Sequence, residues 1–124
     1  MVLVDTSVWV AHLRTGRVGL EMLLNEGQAM VHCFVLGELA RGNLRNRTEI
    51  LSLLGALPMA LHADHEEVMR LIDRHRLMGR GLGYVDVHLL ASALLGATPL
   101  WTLDKNLRSA SEKLGLHYEP LSQQ

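Results

Sequence analysis

Two acidic residues, Asp5 and Asp104, each follow a short apolar run that is typical of a buried strand. Asp5 follows Val2-Leu-Val4, and Asp104 follows Pro99-Leu-Trp-Thr-Leu103. In an open sheet of parallel strands, the carboxyl ends of all strands lie on one edge, where ligands bind. The pattern therefore predicts that both carboxylates share this edge, although most of the chain separates them.

Two further acids lie in apolar helical surroundings. Asp86 stands in the first turn of a predicted helix, with Leu89 and Leu90 on the neighbouring turn. Glu38 interrupts the apolar stretch Phe34-Val-Leu-Gly-Glu-Leu-Ala40. A carboxylate beside an apolar face costs free energy unless a neighbour compensates it. The positive end of the helix dipole supplies part of that compensation for Asp86.

Each of these acids also has a purely structural explanation. Asp5 fits an Asx turn, Asp104 fits an ordinary N-cap, and Asp86 fits a first-turn acid favoured by the dipole. Glu38 could pair with Arg41 on the next helical turn. The chain has 13 acidic residues, so chance alone would produce some such placements. Position by itself leaves both interpretations open.

Convergence of the four carboxylates would indicate one kind of chemistry. Clustered carboxylates raise one another's pKa values, and a divalent cation removes that penalty. Ligands that are all oxygen favour Mg²⁺ or Mn²⁺ over Zn²⁺. Such an ion lowers the pKa of a bound water and stabilises charge on a phosphodiester. Hydrolysis at this site would need no His or Cys.

The elements that must position these acids alternate between strand and helix. This alternation predicts the α/β fold class, with a central parallel sheet and helices on both faces. A capping box of Asp64 and Glu67 starts one helix, and Gly96 and Gly115 are expected to end two others. Strands are predicted at 2–5, 29–32, 59–61, 99–103 and 117–118, and helices at 18–26, 34–40, 48–57, 64–79, 84–95 and 104–114.

Length and composition favour a single globular domain over residues 1–124, with a polar tail from about residue 119. The formal net charge is −1, so any attraction for nucleic acid must be local or supplied by metal ions. Arg74, Arg76 and Arg80 precede the Asp86 helix and could meet phosphates, although a solvated face is the better explanation for them.

The remaining chemical motifs are absent from the sequence. The single cysteine, Cys33, cannot form an intramolecular disulfide, favours a reducing cytoplasm, and is expected to fill the core. The seven histidines lack the spacing of zinc ligands. The amino terminus lacks the features of a signal peptide, and no apolar run is long enough to span a membrane.

Four motifs, taken in order, resemble those of one known family. They are Val2-Leu-Val-Asp5-Thr-Ser-Val-Trp9, Leu36-Gly-Glu38-Leu-Ala40, Gly83-Tyr-Val-Asp86-Val-His-Leu-Leu-Ala-Ser-Ala93 and Leu100-Trp-Thr-Leu-Asp104-Lys-Asn-Leu107. Together they resemble the PIN domain, and specifically the VapC-type ribonuclease toxins of type II toxin–antitoxin systems. The resemblance extends to about Tyr118.

The resemblance implies a three-layer α/β/α fold and an acidic metal site formed by Asp5, Glu38, Asp86 and Asp104. It implies RNA cleavage that depends on Mg²⁺ or Mn²⁺, a homodimer, and neutralisation by a small VapB-like antitoxin. Hydrogen bonds from Thr6, Ser7 and Thr102 are expected to orient the acids. Some family members carry a further acid where this chain has Asn106, which adds no charge, so a single ion is favoured.

Two other functions remain to be separated from this one. A catalytically silent PIN-like binding module would act through a partner or nucleic acid, but it would have no need to keep four costly carboxylates. A phosphatase with a strand-end Asp nucleophile usually needs a second Asp two residues on, and this chain has Ser7 there.

Overall fold

The computed structural model of the chain describes residues 1–120. The predicted polar tail lies almost wholly outside these residues. The described elements, in chain order, are β1 (Val2–Val4), α1 (Thr6–Thr15), α2 (Leu20–Asn25), β2 (Ala29–Met30), α3 (Cys33–Ala40), α4 (Arg47–Gly55), α5 (His65–His75), α6 (Tyr84–Gly96), β3 (Leu100–Trp101) and α7 (Lys105–Lys113).

The sheet has three parallel strands in the order β2-β1-β3, which places β1 at its centre. In register, Val2 pairs with Ala29, and Val4 pairs with Trp101. The segments predicted as strands at 59–61 and 117–118 instead make single parallel bridges, Val31 to Met59 and Leu100 to His117. These two bridges extend the same parallel arrangement by one segment on each side.

The core follows from the apolar runs in the sequence. Leu3 and Val4 of β1 and Leu100 of β3 are fully buried, as a parallel sheet covered on both faces requires. Helix α6 buries every residue from Val87 to Ala93, so its middle turns form part of the core. Helix α1 packs against α3, α3 against α4, and α5 against α6. The predicted α/β class with helices flanking a parallel sheet is confirmed.

The helix ends show where local sequence rules succeed and fail. The predicted capping box is present, with Asp64 accepting from the Glu67 N–H and Glu67 accepting from the Asp64 N–H. Helix α6, however, includes Gly96 and ends at Ala97, which adopts a left-handed φ of 50°. The prediction that Gly96 ends this helix is therefore wrong by one residue. A Cβ at Gly96 would lie 3.6 Å from the Thr98 hydroxyl and 3.7 Å from Leu61.

Cys33 is exposed at the first residue of α3, so the prediction that it fills the core is wrong. Its neighbour His32 takes the buried position in its place, with no exposed surface. None of the helices described in residues 1–120 is long and apolar enough to cross a membrane.

Candidate active site

Asp5 is the most buried of the four acids, with 5% of its surface exposed. It stands between β1 and α1, where an aspartate would ordinarily cap the helix, yet its side chain makes no capping hydrogen bond. Its Oδ2 accepts from the hydroxyls of Ser7 and Thr102, both at 2.7 Å. The carboxylate is thus held by one hydroxyl from the first turn of α1 and one that follows β3, and it does not cap the helix.

Ser7 and Thr102 also hold the loop that leads to the fourth acid. The backbone N–H of Leu103 donates to Ser7 Oγ at 2.9 Å, and that of Asp104 donates to Thr102 Oγ1 at 3.0 Å. One small network therefore joins the end of β1 to the end of β3. It fixes Asp5 and the Asp104 backbone relative to each other.

Asp104 serves as the N-cap of α7, as its structural explanation predicted. Its Oδ2 accepts from the Leu107 N–H at 2.9 Å, and the residue is exposed to solvent. Asn106, two residues later, donates from Nδ2 to the Gly81 carbonyl at 3.3 Å. The Asn106 amide therefore ties α7 to the loop before α6.

Glu38 lies half-buried on α3 and accepts from the Thr6 hydroxyl at 2.8 Å. Within residues 1–120 it forms no ion pair with Arg41, so the structural alternative for this residue is not realised. Because Thr6 directly follows Asp5, this bond connects Glu38 to the end of β1.

Asp86 is half-buried in the first turn of α6, and its Oδ2 accepts from the Gly83 N–H at 2.9 Å. Burial raises the pKa of its carboxyl group above the ordinary value, and the Gly83 hydrogen bond partly opposes this. The nearby charges of Asp5, Asp104 and Glu38 raise the pKa of Asp86 further. All three other acids therefore lie close enough to Asp86 to repel its charge.

The structure thus brings the four acids into one cluster at the carboxyl edge of the sheet. The donor set consists of carboxylate oxygens, with hydroxyls behind Asp5 and Glu38. A divalent cation of the hard type fits this set, because it neutralises the mutual repulsion that raises the pKa of Asp86.

A groove of about 370 Å³ begins at this cluster, with Thr6 and Glu38 in its wall. Two arginines, Arg14 and Arg45, line the same groove. Sequence reasoning did not find them, because nothing in the spacing of Arg14 or Arg45 relates them to the acids. Arg74, which it did consider, lines a different groove together with Glu67 and Asp73.

Comparisons with known proteins indicate the family of the chain. The PIN-domain profile matches residues 2–113. The chain is 47% identical over 117 residues to Ribonuclease VapC32 of two Mycobacterium tuberculosis strains, CDC 1551 / Oshkosh and H37Rv, covering 94% of each protein. The fold is similar to the crystal structure of PAE2754 from Pyrobaculum aerophilum, with a TM-score of 0.63 and 17% identity over 88% of this chain and 78% of that one.

Proposed function

This chain belongs to the PIN-domain family, and from that premise we propose that it is a metal-dependent endoribonuclease of the VapC type, the toxin of a toxin–antitoxin pair. The observation that carries the proposal is the clustering of four carboxylates at the carboxyl edge, in a chain 47% identical to a protein named as a ribonuclease. We also propose that the chain forms a single domain.

We propose that Asp5, Glu38, Asp86 and Asp104 hold a divalent cation. PIN-domain ribonucleases generally depend on divalent metal, and the all-oxygen donor set favours Mg²⁺ or Mn²⁺. When bound, such an ion supplies water activation and neutralises charge on the phosphodiester. Asn106 contributes a neutral amide in place of a further acid, so it adds no charge to hold a second ion. This favours one ion over two.

The chain's own hydroxyls fix the acids before any ligand arrives. Ser7 and Thr102 both donate to Oδ2 of Asp5, which leaves Oδ1 without a donor among residues 1–120. Thr6 occupies one oxygen of Glu38 in the same way. Hydrogen-bonded partners of this kind orient metal ligands, so a cation meets a fixed set of oxygens.

The groove that starts at Glu38 offers positive charge to a polyanionic substrate, beside the apolar side chains of Val10, Leu13 and Leu44. Arg14 and Arg45 place two permanent positive charges along it, beside acids that would otherwise repel phosphate. We propose that these two guanidinium groups bind RNA phosphates that lie along this groove. Such local charge would let a chain with a net charge of −1 hold RNA.

Membership of the family also indicates which molecules this chain binds. VapC toxins act on RNA and pair with VapB antitoxins, and we propose a VapB-like antitoxin, a homodimeric state and a cytoplasmic location for this chain.

The deciding experiment is induction of the wild-type protein, Asp5→Asn and a matched control, Asp73→Asn, in separate cultures. Asp73 is an exposed acid on α5, remote from the cluster. We expect growth arrest with wild type and with Asp73→Asn, and normal growth with Asp5→Asn. Equal toxicity of all three would contradict the proposed chemistry.

Purified protein provides the second half of the test. It should cleave RNA with Mg²⁺ or Mn²⁺ and stop when a chelator is added. Chelator-resistant cleavage would remove the metal from the mechanism. RNA binding without cleavage by fully metallated wild type would instead support the silent binding module.

A further inference from the structure

A second cluster of titratable side chains lies outside the acidic site. His32 and Cys33 stand where β2 leads into α3, and His62 follows the segment bridged to β2 through Met59. One potential ligand atom from each of these three residues lies within 4.8 Å of the other two. The cluster is formed by the fold, because His62 is remote from the other two residues in sequence.

The distances within this cluster suit a tetrahedral ion. Cys33 Sγ lies 3.5 Å from His62 Nδ1 and 3.8 Å from His32 Nδ1. A tetrahedral zinc ion with sulfur at about 2.3 Å and nitrogen at about 2.0–2.1 Å holds those ligand atoms roughly 3.5 Å apart. An S–H···N hydrogen bond gives a similar separation, so the experiment below is designed to distinguish the two.

The surroundings of the cluster are rich in imidazole rings and poor in hydrogen-bond partners for them. The rings of His62 and His88 are stacked with their centroids 5.6 Å apart, and the ring centroids of His32 and His62 are 5.7 Å apart. Within residues 1–120, His32 Nε2 and His88 Nδ1 are buried without a hydrogen-bond partner. The described residues within reach thus supply imidazole and thiol groups and no carboxylate ligand.

We propose that His32, Cys33 and His62 form a binding site for a borderline transition-metal ion, with Zn²⁺ as the fitting example. One thiolate and two imidazoles select such ions over Mg²⁺, which takes oxygen ligands. Cys33 and His62 are exposed, so the ion can enter and a water can complete its coordination. The site is separate in ligand chemistry from the four carboxylates.

Binding at His32 has a structural consequence. His32 Nδ1 accepts from the Phe34 N–H at 3.0 Å and so caps α3. An ion on this nitrogen replaces that hydrogen bond, so the first turn of α3 must adjust. Cys33, in that same turn, would then anchor the helix start through its bond to the ion.

The test uses the full chain, in which Cys33 is the only cysteine. A thiol-specific chromogenic reagent should label it about tenfold more slowly with one equivalent of Zn²⁺, because a metal-bound thiolate is a poor nucleophile, and Mg²⁺ should have no effect. His62→Ala should lose this protection, whereas His75→Ala, a histidine outside the cluster, should keep it. Co²⁺ should give a thiolate charge-transfer band that Cys33→Ser removes.

Two results would overturn the proposal. One is labelling that Zn²⁺ slows equally in wild type and His62→Ala, and the other is a Co²⁺ complex without the thiolate band. Cys33 and His62 are both exposed, and circular dichroism of each variant checks that it folds. The same labelling is repeated in Asp86→Asn, which weakens the acidic site. Zn²⁺ should protect Cys33 there as it does in wild type, because Zn²⁺ bound only by the acids would leave Cys33 reactive.

Discussion

The acidic pair Asp5 and Asp104 and the histidine pair His32 and His62 occupy the same register at two neighbouring strand pairs. Val4 pairs with Trp101, and the acids follow at 5 and 104; Val31 pairs with Met59, and the histidines follow at 32 and 62. Parallel pairing aligns the ends of both pairs on one edge. The same backbone geometry therefore presents two clusters of different chemistry.

The two clusters differ in how burial changes their charge. At the acidic cluster, burial and like charges raise the pKa of Asp86, which disfavours its negative form. At the imidazole cluster, burial together with His62 and His88 lowers the pKa of His32 to about 4, which disfavours its positive form. The acidic cluster is suited to a hard cation, which prefers oxygen ligands. The imidazole cluster presents neutral nitrogens, which are suited to a softer metal ion.

The largest expected effect distinguishes the two clusters by RNA cleavage. Asp86→Asn keeps an oxygen that can accept from the Gly83 N–H, but it removes one negative charge from the proposed metal site. Cleavage with Mg²⁺ should fall by at least about 100-fold, because even indirect partners of metal ligands are commonly worth 10–100-fold. His62→Ala should retain nearly wild-type cleavage. Comparable losses in both variants would show that the clusters are not functionally separate.

A smaller effect on RNA cleavage is expected when a hydroxyl that donates to one of the acids is removed. Thr102→Val preserves the shape of a buried side chain but removes the donor to Asp5 and the acceptor for the Asp104 N–H. The Mg²⁺ concentration for half-maximal cleavage should rise about 10–100-fold. Thr48→Val, at an exposed position of α4, is the control and should leave it unchanged.

The imidazole cluster should reveal itself in stability, not in cleavage. Below pH 6.5 the unfolded chain protonates His32, while the folded chain resists protonation until about pH 4. Stability should therefore fall as pH falls through this window, by roughly 2 kcal/mol between pH 7 and pH 5. Urea unfolding in the presence of a chelator measures this change.

His32→Asn provides the comparison, since Asn can cap α3 without titrating. Its loss of stability between pH 7 and pH 5 should be clearly smaller than that of wild type. An unchanged dependence on pH would assign the effect to groups other than His32.

The smallest effect concerns the loop before α6. Gly79 and Gly81 both have a φ of +71°, but only at Gly81 would a Cβ meet another group, the Asn106 amide at 2.5 Å. Each change to Ala should destabilise the protein by about 1 kcal/mol through the backbone. Gly81→Ala should cost more than Gly79→Ala, and Asn106→Ala should reduce the difference. Equal unfolding midpoints for the two glycine variants would exclude the contact.

The sequence predicted best those features that depend on strand ends. The positions of Asp5 and Asp104 follow from apolar runs and parallel pairing, because both are properties of short segments. The clustering of Glu38 and Asp86 with them came from family resemblance, since it depends on how α3 and α6 pack. The alignment of His32 with His62 could not be predicted, because it requires the Val31–Met59 bridge. Cys33 was placed wrongly, since composition does not reveal which side of a helix faces solvent.

The central position of β1 bears on the order in which the protein is made. The amide of Leu3 donates to the Pro99 carbonyl, and the amide of Asp5 donates to the Trp101 carbonyl, both far along the chain. The Asp5 carboxylate likewise accepts a hydrogen bond from the hydroxyl of Thr102, which lies 97 residues later in the chain. During synthesis the first acid therefore leaves the ribosome long before the residues that fix it. A nascent chain therefore has no assembled acidic cluster until the segment that carries Thr102 and Asp104 has been synthesised.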